Sequence, residues 1–297
     1  MDIEQHELFE EEYIMGLTVS VIGAGGKMGT RITNNLAKHE EYKLLFCEKS
    51  EFGVKSIQDR GFDVTPTEAA VKESDVVILA VPDTLLGVIS SEVVPMLNSG
   101  TVLLTLDPAA AYYKQLTLRD DCTFIVAHPC HPSVFAENLT PEEHADAFGG
   151  VAAKQDIVAA FYHGDEDKYV LGEQVSIDMY GPVETCHKIT VEQMALLEPA
   201  AAEVVAGSAA VILKQALDEV VKKGVPEAAA KAFLLGHIQI CLSVVFRSTK
   251  PFSDACQIAI DYGLEEIYKD DWKKVFEKEE LDKVLRRMLH LEEAEVK

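Results

Sequence analysis

The sequence predicts an α/β protein in which a doubly wound parallel sheet is followed by an all-helical C-terminal domain. Up to about residue 182, short continuous apolar runs alternate with helical stretches, as strands that are covered by helices on both faces require. Beyond that point strand patterns give way to long Ala-rich segments typical of helices. The expected organisation is an acidic tail over 1–16, a sheet domain over 17–182 and a helical domain over 183–297.

The predicted elements follow one another in the order that right-handed crossovers between parallel strands require. The first strand is LTVSVIG, which is followed by the helix GKMGTRITNNLAKHE, the strand YKLLFCE and a weaker FDVT. Further strands are DVVILAVPD, TVLLTLD and CTFIVAHP, the first two separated by the helix DTLLGVISSEVVPMLN. After a polar excursion over 135–150, the strand DIVAAFYHG and the helix EDKYVLGEQVSIDM close the domain. Of the two long helical segments beyond it, the second is expected to have Pro226 in its first turn.

The composition argues against several classes of protein. The 297 residues carry a formal net charge of −23, which opposes binding to a phosphate backbone or an anionic membrane. We therefore expect neither nucleic acid nor membrane as a partner. We also expect no membrane span, because no uninterrupted apolar run reaches the roughly 18 to 20 residues that a span needs, and no signal peptide, because the N-terminus is acidic. A cytoplasmic protein is the resulting expectation.

The turn GAGGKMG follows the first predicted strand and opens the next helix. A bound pyrophosphate needs a tight turn, a backbone without a Cβ beside it and the free N–H groups of a helix N-terminus. The spacing G-x-x-G-x-M-G, with glycines 23, 26 and 29 at the main positions, is one residue longer than the common G-x-G-x-x-G pattern. The segment predicts a dinucleotide site in a Rossmann domain, with contacts from Gly23, Ala24, Gly25, Gly26, Lys27, Met28 and Gly29.

Glu48 ends the second predicted strand and bears on which dinucleotide binds. A carboxylate at this position accepts hydrogen bonds from the ribose hydroxyls and repels a 2′-phosphate, which favours NAD over NADP. Lys49 leaves NADP open, because its ammonium group can pair with that phosphate. A solvated acid at a strand end is the competing interpretation of Glu48. Asp83, at the end of a later strand, is a further candidate for cofactor contact or, equally, the N-cap of the next helix.

Two histidines three residues apart leave the end of a predicted strand in HPCHPS. Histidine takes and gives protons near neutral pH, and its neutral ring is a common metal ligand. His128 and His131 are therefore predicted to act in proton transfer or metal binding beside the cofactor. In the competing interpretation His128 only forms a hydrogen bond with backbone at the domain junction.

A second group of candidates opens the helical domain in HKITVEQMALLEP. Glu192 and Glu198 are about 120° apart around an ideal helix, so one is expected to face the cleft and the other water. Glu198, in an apolar run before Pro199, is the predicted buried residue. With His131 it would form a mixed imidazole and carboxylate site for zinc or another divalent ion. An acid that caps or bridges the two domains is the alternative.

The elements IGAGGKMG, LAVPD, HPCHPSVF and TVEQMALLEP occur in this order along nearly the whole chain. With them the sequence resembles the D-apionate oxidoisomerase family, whose C-terminal domain is similar to that of phosphogluconate dehydrogenase. The resemblance implies an NAD-dependent oxidation of a branched sugar acid, coupled to a rearrangement that gives 3-oxoisoapionate. Ketol-acid reductoisomerases catalyse a related rearrangement, in which a divalent ion polarises adjacent oxygens during the carbon shift. In this assignment His128 moves the hydroxyl proton, Glu192 is a second catalytic candidate, and His131 with Glu198 binds the metal ion, zinc or magnesium.

Three alternatives stay open. Phosphogluconate-type and other 3-hydroxyacid dehydrogenases place a lysine and an asparagine four residues apart on the interdomain helix, and no such K-x-x-x-N occurs between residues 187 and 210. The extended glycine turn and the HP pair at a strand end also resemble those of prephenate dehydrogenase. A redox sensor that binds NAD without turnover is the alternative from another class. In each case the large apolar surface of the predicted helices favours a homodimer.

Overall fold

The structure is a computed structural model that describes residues 16–248 and 250–291. Residues 1–15 of the expected acidic tail, and the acidic end of the chain, lie outside the described residues. The chain divides into two compact units. Of the described residues, one unit comprises 16–195 and 285–291, and the other is Leu196–Val284.

The first unit is built on one seven-stranded sheet. Its strands are β1 (Thr18–Ile22), β2 (Lys43–Cys47), β3 (Val76–Leu79), β4 (Val102–Thr105), β5 (Thr123–Pro129), β6 (Gln155–His163) and β7 (Val183–Lys188). The order across the sheet is β2-β1-β3-β4-β5-β6-β7. The first five strands are parallel, whereas β6 runs antiparallel to β5 and parallel to β7. The predicted Rossmann-type fold is thereby confirmed, with an antiparallel extension at one edge.

Helices cover both faces of this sheet. They are α1 (Lys27–Leu36), α2 (Glu51–Asp59), α3 (Thr67–Glu73), α4 (Asp83–Val93), α5 (Ala109–Tyr112), α6 (Pro141–Ala145), α7 (Tyr169–Tyr180) and α8 (Val191–Ala195), with short 3-10 turns at Val94–Met96 and Glu166–Lys168. Along β3 the side chains alternate between two buried clusters, Val76 and Ile78 in one and Val77 and Leu79 in the other. Burial on both faces explains why the strands are continuous apolar runs.

The sheet continues past residue 182, where the sequence placed the start of the helical domain. Strand β7 pairs with β6 from Val183 onward, and most of its side chains are exposed. An edge strand has a ladder partner on one side only, and its sequence VETCHK lacks the apolar run by which the buried strands were recognised. Helices α2 and α3 were also not predicted, and the weak FDVT strand is reduced to a single bridge between Phe46 and Val64.

The second unit is helical. It contains a π-helical segment (Leu196–Gly207), α9 (Ser208–Lys222), α10 (Glu227–Phe246), α11 (Asp254–Ile267), a 3-10 turn (Trp272–Phe276) and most of α12 (Lys278–Met288). Pro226 is the N-cap residue of α10 and not part of its first turn.

Two helical stretches correct the expectation that nothing in the chain is apolar enough to span a membrane. Val191–Lys222 and Glu227–Phe246 meet that requirement by length and composition, and little of either stretch is buried within the chain. Charged or polar residues interrupt the apolar runs of both stretches, as Lys214 does in the first and Lys231 in the second. A search for uninterrupted apolar runs therefore overlooks both stretches. By themselves two such helices are weak evidence of a membrane span, since helices that are buried in an assembly have the same composition.

Candidate cofactor and active site

The candidate site lies at the carboxyl edge of the parallel strands. The strand order reverses between β1 and β3, and in doubly wound sheets the crevice outside such a switch point is where ligands bind. Residues that follow β1, β3, β4 and β5 line a cavity of about 460 Å³ at this place. Six of the residues predicted from the sequence are among them: Gly26, Lys27, Met28, Asp83, His128 and His131.

The glycine turn is held tightly under the end of β3. Gly23 has a φ of +84°, and a Cβ at this position would collide with the carbonyl oxygen of Ala80. A Cβ on Gly29 would likewise collide with the carbonyl oxygen of Gly23, so α1 packs directly on the turn. Gly26 is the N-cap of α1, with neither a side-chain cap nor an acid in the first turn. The first N–H groups of α1 are therefore left to bind an anion.

Glu48 is fixed at the wall of a neighbouring cavity of about 320 Å³. One of its carboxylate oxygens accepts a hydrogen bond from the N–H of Gly25 at 3.2 Å. The other accepts from the N–H groups of Lys49 at 2.9 Å and Ser50 at 3.0 Å. Gly53 packs against this carboxylate so closely that a Cβ there would overlap it. The acid is thus held by the turn and faces the cavity, unlike a solvated acid at a strand end.

His128 stands at the end of β5 with its ring orientation fixed. Its Nδ1 lies 2.7 Å from the carbonyl oxygen of Leu106. Because a carbonyl only accepts, Nδ1 carries the hydrogen, and in the neutral ring Nε2 holds the lone pair. Burial lowers the pKa of His128, which keeps the ring neutral. The backbone contact of the competing interpretation is therefore present, and it prepares Nε2 to act as a base.

Asp107 lies beside His128 and was only a strand-end residue in the sequence. It is buried, and its carboxylate accepts a hydrogen bond from the N–H of Ala109 at 2.9 Å. Burial raises the pKa of Asp107, while that hydrogen bond and the nearby imidazole of His128 act in the opposite direction. Tyr180 closes the same side of the cavity, with its hydroxyl donating to the carbonyl oxygen of Ala127 at 2.9 Å.

His131 is exposed and has a φ of +63°. Its Nδ1 lies 2.9 Å from the carbonyl oxygen of Phe148, so here too Nε2 holds the lone pair of the neutral ring. The rings of His128 and His131 are 6.5 Å apart between centroids. Such an imidazole is suited to be one ligand of a divalent ion.

Glu192, the second catalytic candidate of the sequence, is not among the residues that line this cavity. Glu192 is exposed on α8, and its carboxylate contributes, after burial, to raising the pKa of Tyr162 on β6. Glu198 is half-buried in the π-helical segment of the second unit. Among the described residues, the one set of three potential ligands whose donor atoms lie within 4.8 Å of one another is His39, Glu41 and Asp178. Because His39 and Glu41 precede β2, this set is at the opposite edge of the sheet from His131.

Together, the fold and the site define a dinucleotide-binding oxidoreductase of the Rossmann type. Residues 136–289 match the family model of the phosphogluconate dehydrogenase (decarboxylating) C-terminal domain, and residues 13–148 match that of the NADPH-binding domain of acetohydroxy acid isomeroreductase. The D-apionate oxidoisomerases of Pectobacterium atrosepticum and Blautia hydrogenotrophica are 54% and 48% identical to this chain, over 94% of its length and 98% and 99% of theirs. The chain belongs to the D-apionate oxidoisomerase family.

The fold agrees with a solved structure over almost the whole chain. A semialdehyde dehydrogenase NAD-binding protein from Cupriavidus necator, in complex with calcium and NAD, superimposes with a TM-score of 0.89 at 44% identity. The comparison covers 92% of this chain and 100% of the other. The family predicted from the four sequence elements is thus confirmed.

Proposed function

We propose that this chain is an NAD-dependent D-apionate oxidoisomerase, which oxidises the branched sugar acid D-apionate and rearranges it to 3-oxoisoapionate. The observation that supports this most directly is that one cavity contains both the glycine turn and His128, whose Nε2 is prepared to accept a proton. The 54% identity to the D-apionate oxidoisomerase of Pectobacterium atrosepticum indicates which acid is oxidised.

The cofactor is NAD, which when bound accepts a hydride from the substrate. The N–H groups at the start of α1 would bind its pyrophosphate, and Glu48 would accept hydrogen bonds from its ribose hydroxyls. The same carboxylate would repel the 2′-phosphate of NADP. Asp83, in the first turn of α4, lies on the wall of the larger cavity, on the side expected for the nicotinamide.

In the proposed mechanism His128 is the general base. Nε2 takes the proton of the hydroxyl group that is oxidised, while the bond from Nδ1 to Leu106 keeps the ring in place. The neighbouring Asp107 stabilises the imidazolium that forms, because an opposite charge favours the charged state of the ring. Glu192 has no step in this mechanism, since its side chain does not line the cavity.

The rearrangement needs a group that holds the hydroxyl and carbonyl oxygens of the substrate together. We propose that His131 contributes to it, as one ligand of a divalent ion that would polarise these oxygens. The exposed ring of His131, with its lone pair on Nε2, fits the requirement for one neutral nitrogen ligand.

NADH formation with D-apionate tests the proposal, measured beside gluconate, phosphogluconate and prephenate, with and without a chelator. Turnover of D-apionate alone, with 3-oxoisoapionate identified by NMR, is the expected result. Loss of turnover with the chelator would support a bound divalent ion, and unchanged turnover would remove His131 as a metal ligand. Turnover of phosphogluconate or prephenate instead would discard the rearrangement. NADH binding without turnover of any acid would favour a redox sensor.

We also propose that the protein is a cytoplasmic homodimer in which α10 lies against a second copy of the chain. Within the described chain Ala230 is the one residue of α10 that is buried, whereas Phe233, Ile240 and Val245 are 69%, 54% and 64% exposed. A helix this apolar is not stable in water unless its surface is covered. Sedimentation of the purified protein without detergent should give a dimer, and Phe233→Glu should dissociate it. Recovery only in the membrane fraction would contradict the proposal.

A further inference from the structure

Two cationic side chains and one aromatic ring form a wall of the larger cavity. Lys27 and Arg31 are four residues apart on α1 and so lie on the same face of the helix. The ammonium nitrogen of Lys27 is 4.6 Å from the centre of the Phe148 ring, and the guanidinium carbon of Arg31 is 5.0 Å from it. The ring of His131 meets the same ring edge-on, at 5.8 Å between centroids. Phe148 therefore contacts two cationic side chains and one imidazole ring around one space.

The charge of this wall is opposite to that of the whole chain, which has a net charge of −23. Among the described residues that line the cavity, Lys27 and Arg31 are the two that carry a permanent positive charge. Other lysines of the described chain, such as Lys43 with Glu73, form ion pairs, but no carboxylate lies within ion-pair distance of Lys27 or Arg31 in that part of the chain.

Asp146, the carboxylate on which the charge of Arg31 acts, does not neutralise the wall. Asp146 is close enough to Arg31 for the guanidinium to help lower its pKa, but the lowering is opposed by burial and comes first from backbone N–H groups. One oxygen of Asp146 accepts from the N–H groups of Val151 at 3.0 Å and Ala152 at 2.9 Å. Arg31 itself donates one bond, at 2.8 Å, to the carbonyl oxygen of Gly149. A guanidinium has five N–H donors, so most of its donors are available for an anion.

An anionic substrate needs cationic side chains in the cavity that binds it. The N–H groups at the start of α1 would bind the pyrophosphate of NAD. Arg31, in contrast, lies a full helical turn further along, on the side of Phe148 and His131. A carboxylate matches the planar fork of a guanidinium, which binds both oxygens at once. The wall is thus built for a second anionic group beside the one at the helix N-terminus.

We propose that Lys27 and Arg31, held in position by Phe148, bind the carboxylate of the sugar acid and so direct its hydroxyl group toward His128. This assignment rests on the proposed function, because it names the part of the cavity that recognises the substrate as an acid. It predicts that the corresponding uncharged sugar is rejected even though it offers the same hydroxyl group.

The test measures binding separately from turnover, with the variants Arg31→Gln, Arg31→Lys and Lys27→Gln. We expect Arg31→Gln to raise the Michaelis constant for D-apionate about 10- to 100-fold, as expected for loss of a charge-assisted hydrogen bond, and Arg31→Lys to raise it less. In the two Arg31 variants the dissociation constant for NADH, from fluorescence titration, should stay within about twofold of that of the unaltered protein. Lys55→Gln is the matched control, because Lys55 lies on α2 and pairs with Asp59 outside the cavity. Thermal melting checks that the variants fold.

The possible results separate this inference from the proposed function. If D-apionate is not turned over, the proposed function fails, and calorimetric binding of gluconate to the NADH complex then decides the subsite. Weaker gluconate binding in Arg31→Gln would still support it. A loss of NADH affinity as large as the loss of sugar-acid affinity would assign the two cations to the pyrophosphate and overturn the inference. Unchanged sugar-acid binding in all three variants would also overturn it. Absence of sugar-acid binding to the unaltered NADH complex would overturn both.

Discussion

The ammonium nitrogen of Lys49 lies 3.3 Å from a carboxylate oxygen of Glu92, across the rim of the cavity that Glu48 lines. Lys49 is the residue that left NADP open in the sequence, because its charge could pair with a 2′-phosphate. In the structure that charge already faces an acid from α4. We therefore expect discrimination against NADP to depend on two acids: Glu48, which the strand-end pattern reveals, and Glu92, which only the fold brings to the site.

Replacing Glu92 by Gln should improve the use of NADP. Without its partner, Lys49 can interact with the 2′-phosphate, and because an exposed ion pair contributes about 0.2–1 kcal/mol, we expect a decrease of roughly two- to fivefold in the Michaelis constant for NADP. High salt should reduce the gain, since exposed charges are screened. The double variant Glu92→Gln with Lys49→Gln is the control and should lose the gain. If it keeps the gain, Lys49 is not involved.

Replacing Glu48 by Gln should have a larger effect and should weaken the use of NAD. Hydrogen bonds to a charged group contribute about 1.5–3 kcal/mol, so the Michaelis constant for NAD is expected to rise about tenfold or more, while that for NADP falls. The measured quantity is the ratio of kcat/KM for the two cofactors. An unchanged ratio would remove Glu48 from the ribose site.

The pH dependence of kcat/KM should report His128. Burial lowers its pKa, so the ring stays a base at a lower pH than a free histidine, and the acid limb of the profile should lie below 6.5. The carboxylate of Asp107 raises the pKa of His128, so Asp107→Asn should move this limb to still lower pH. His128→Asn should lower kcat about 10²- to 10⁴-fold without weakening NADH binding. An acid limb at the same pH in Asp107→Asn would show that Asp107 does not raise the pKa of His128.

Asn35 should be required for stability. It is buried, and its amide nitrogen lies 2.9, 3.2 and 3.0 Å from the carbonyl oxygens of Gly150, Met179 and Gly181. Asn35→Asp has almost the same shape but replaces the donor by a charged acceptor that these carbonyls repel. We expect a loss of about 3 kcal/mol or more in the free energy of unfolding, measured with urea. Asn34→Asp is the matched control, because exposed Asn34 only accepts from Arg60, which a carboxylate also does.

The sequence predicted those parts of the site that one short segment forms alone. The glycine turn, Glu48 and the two histidines lie at or directly after strand ends, and three of the five parallel strands, β1, β2 and β5, position them. Arg31 and Phe148 could not be paired in this way, since a helix and a distant loop bring them together. The expected angle between Glu192 and Glu198 assumed one ideal α-helix, whereas the chain becomes π-helical at Leu196, with Pro199 inside the segment.

The reversal of β6 also has an evolutionary consequence. Because β6 runs against β5, the segment 130–154 leaves and re-enters the sheet at the same edge, and that edge is the one where the cofactor and the acid would bind. Insertions, deletions or exchanges in this segment leave the order of the strands and the glycine turn intact. We therefore expect that related enzymes can acquire a new substrate by changes in this one segment, which contains His131 and Phe148, while the residues that bind the dinucleotide stay unchanged.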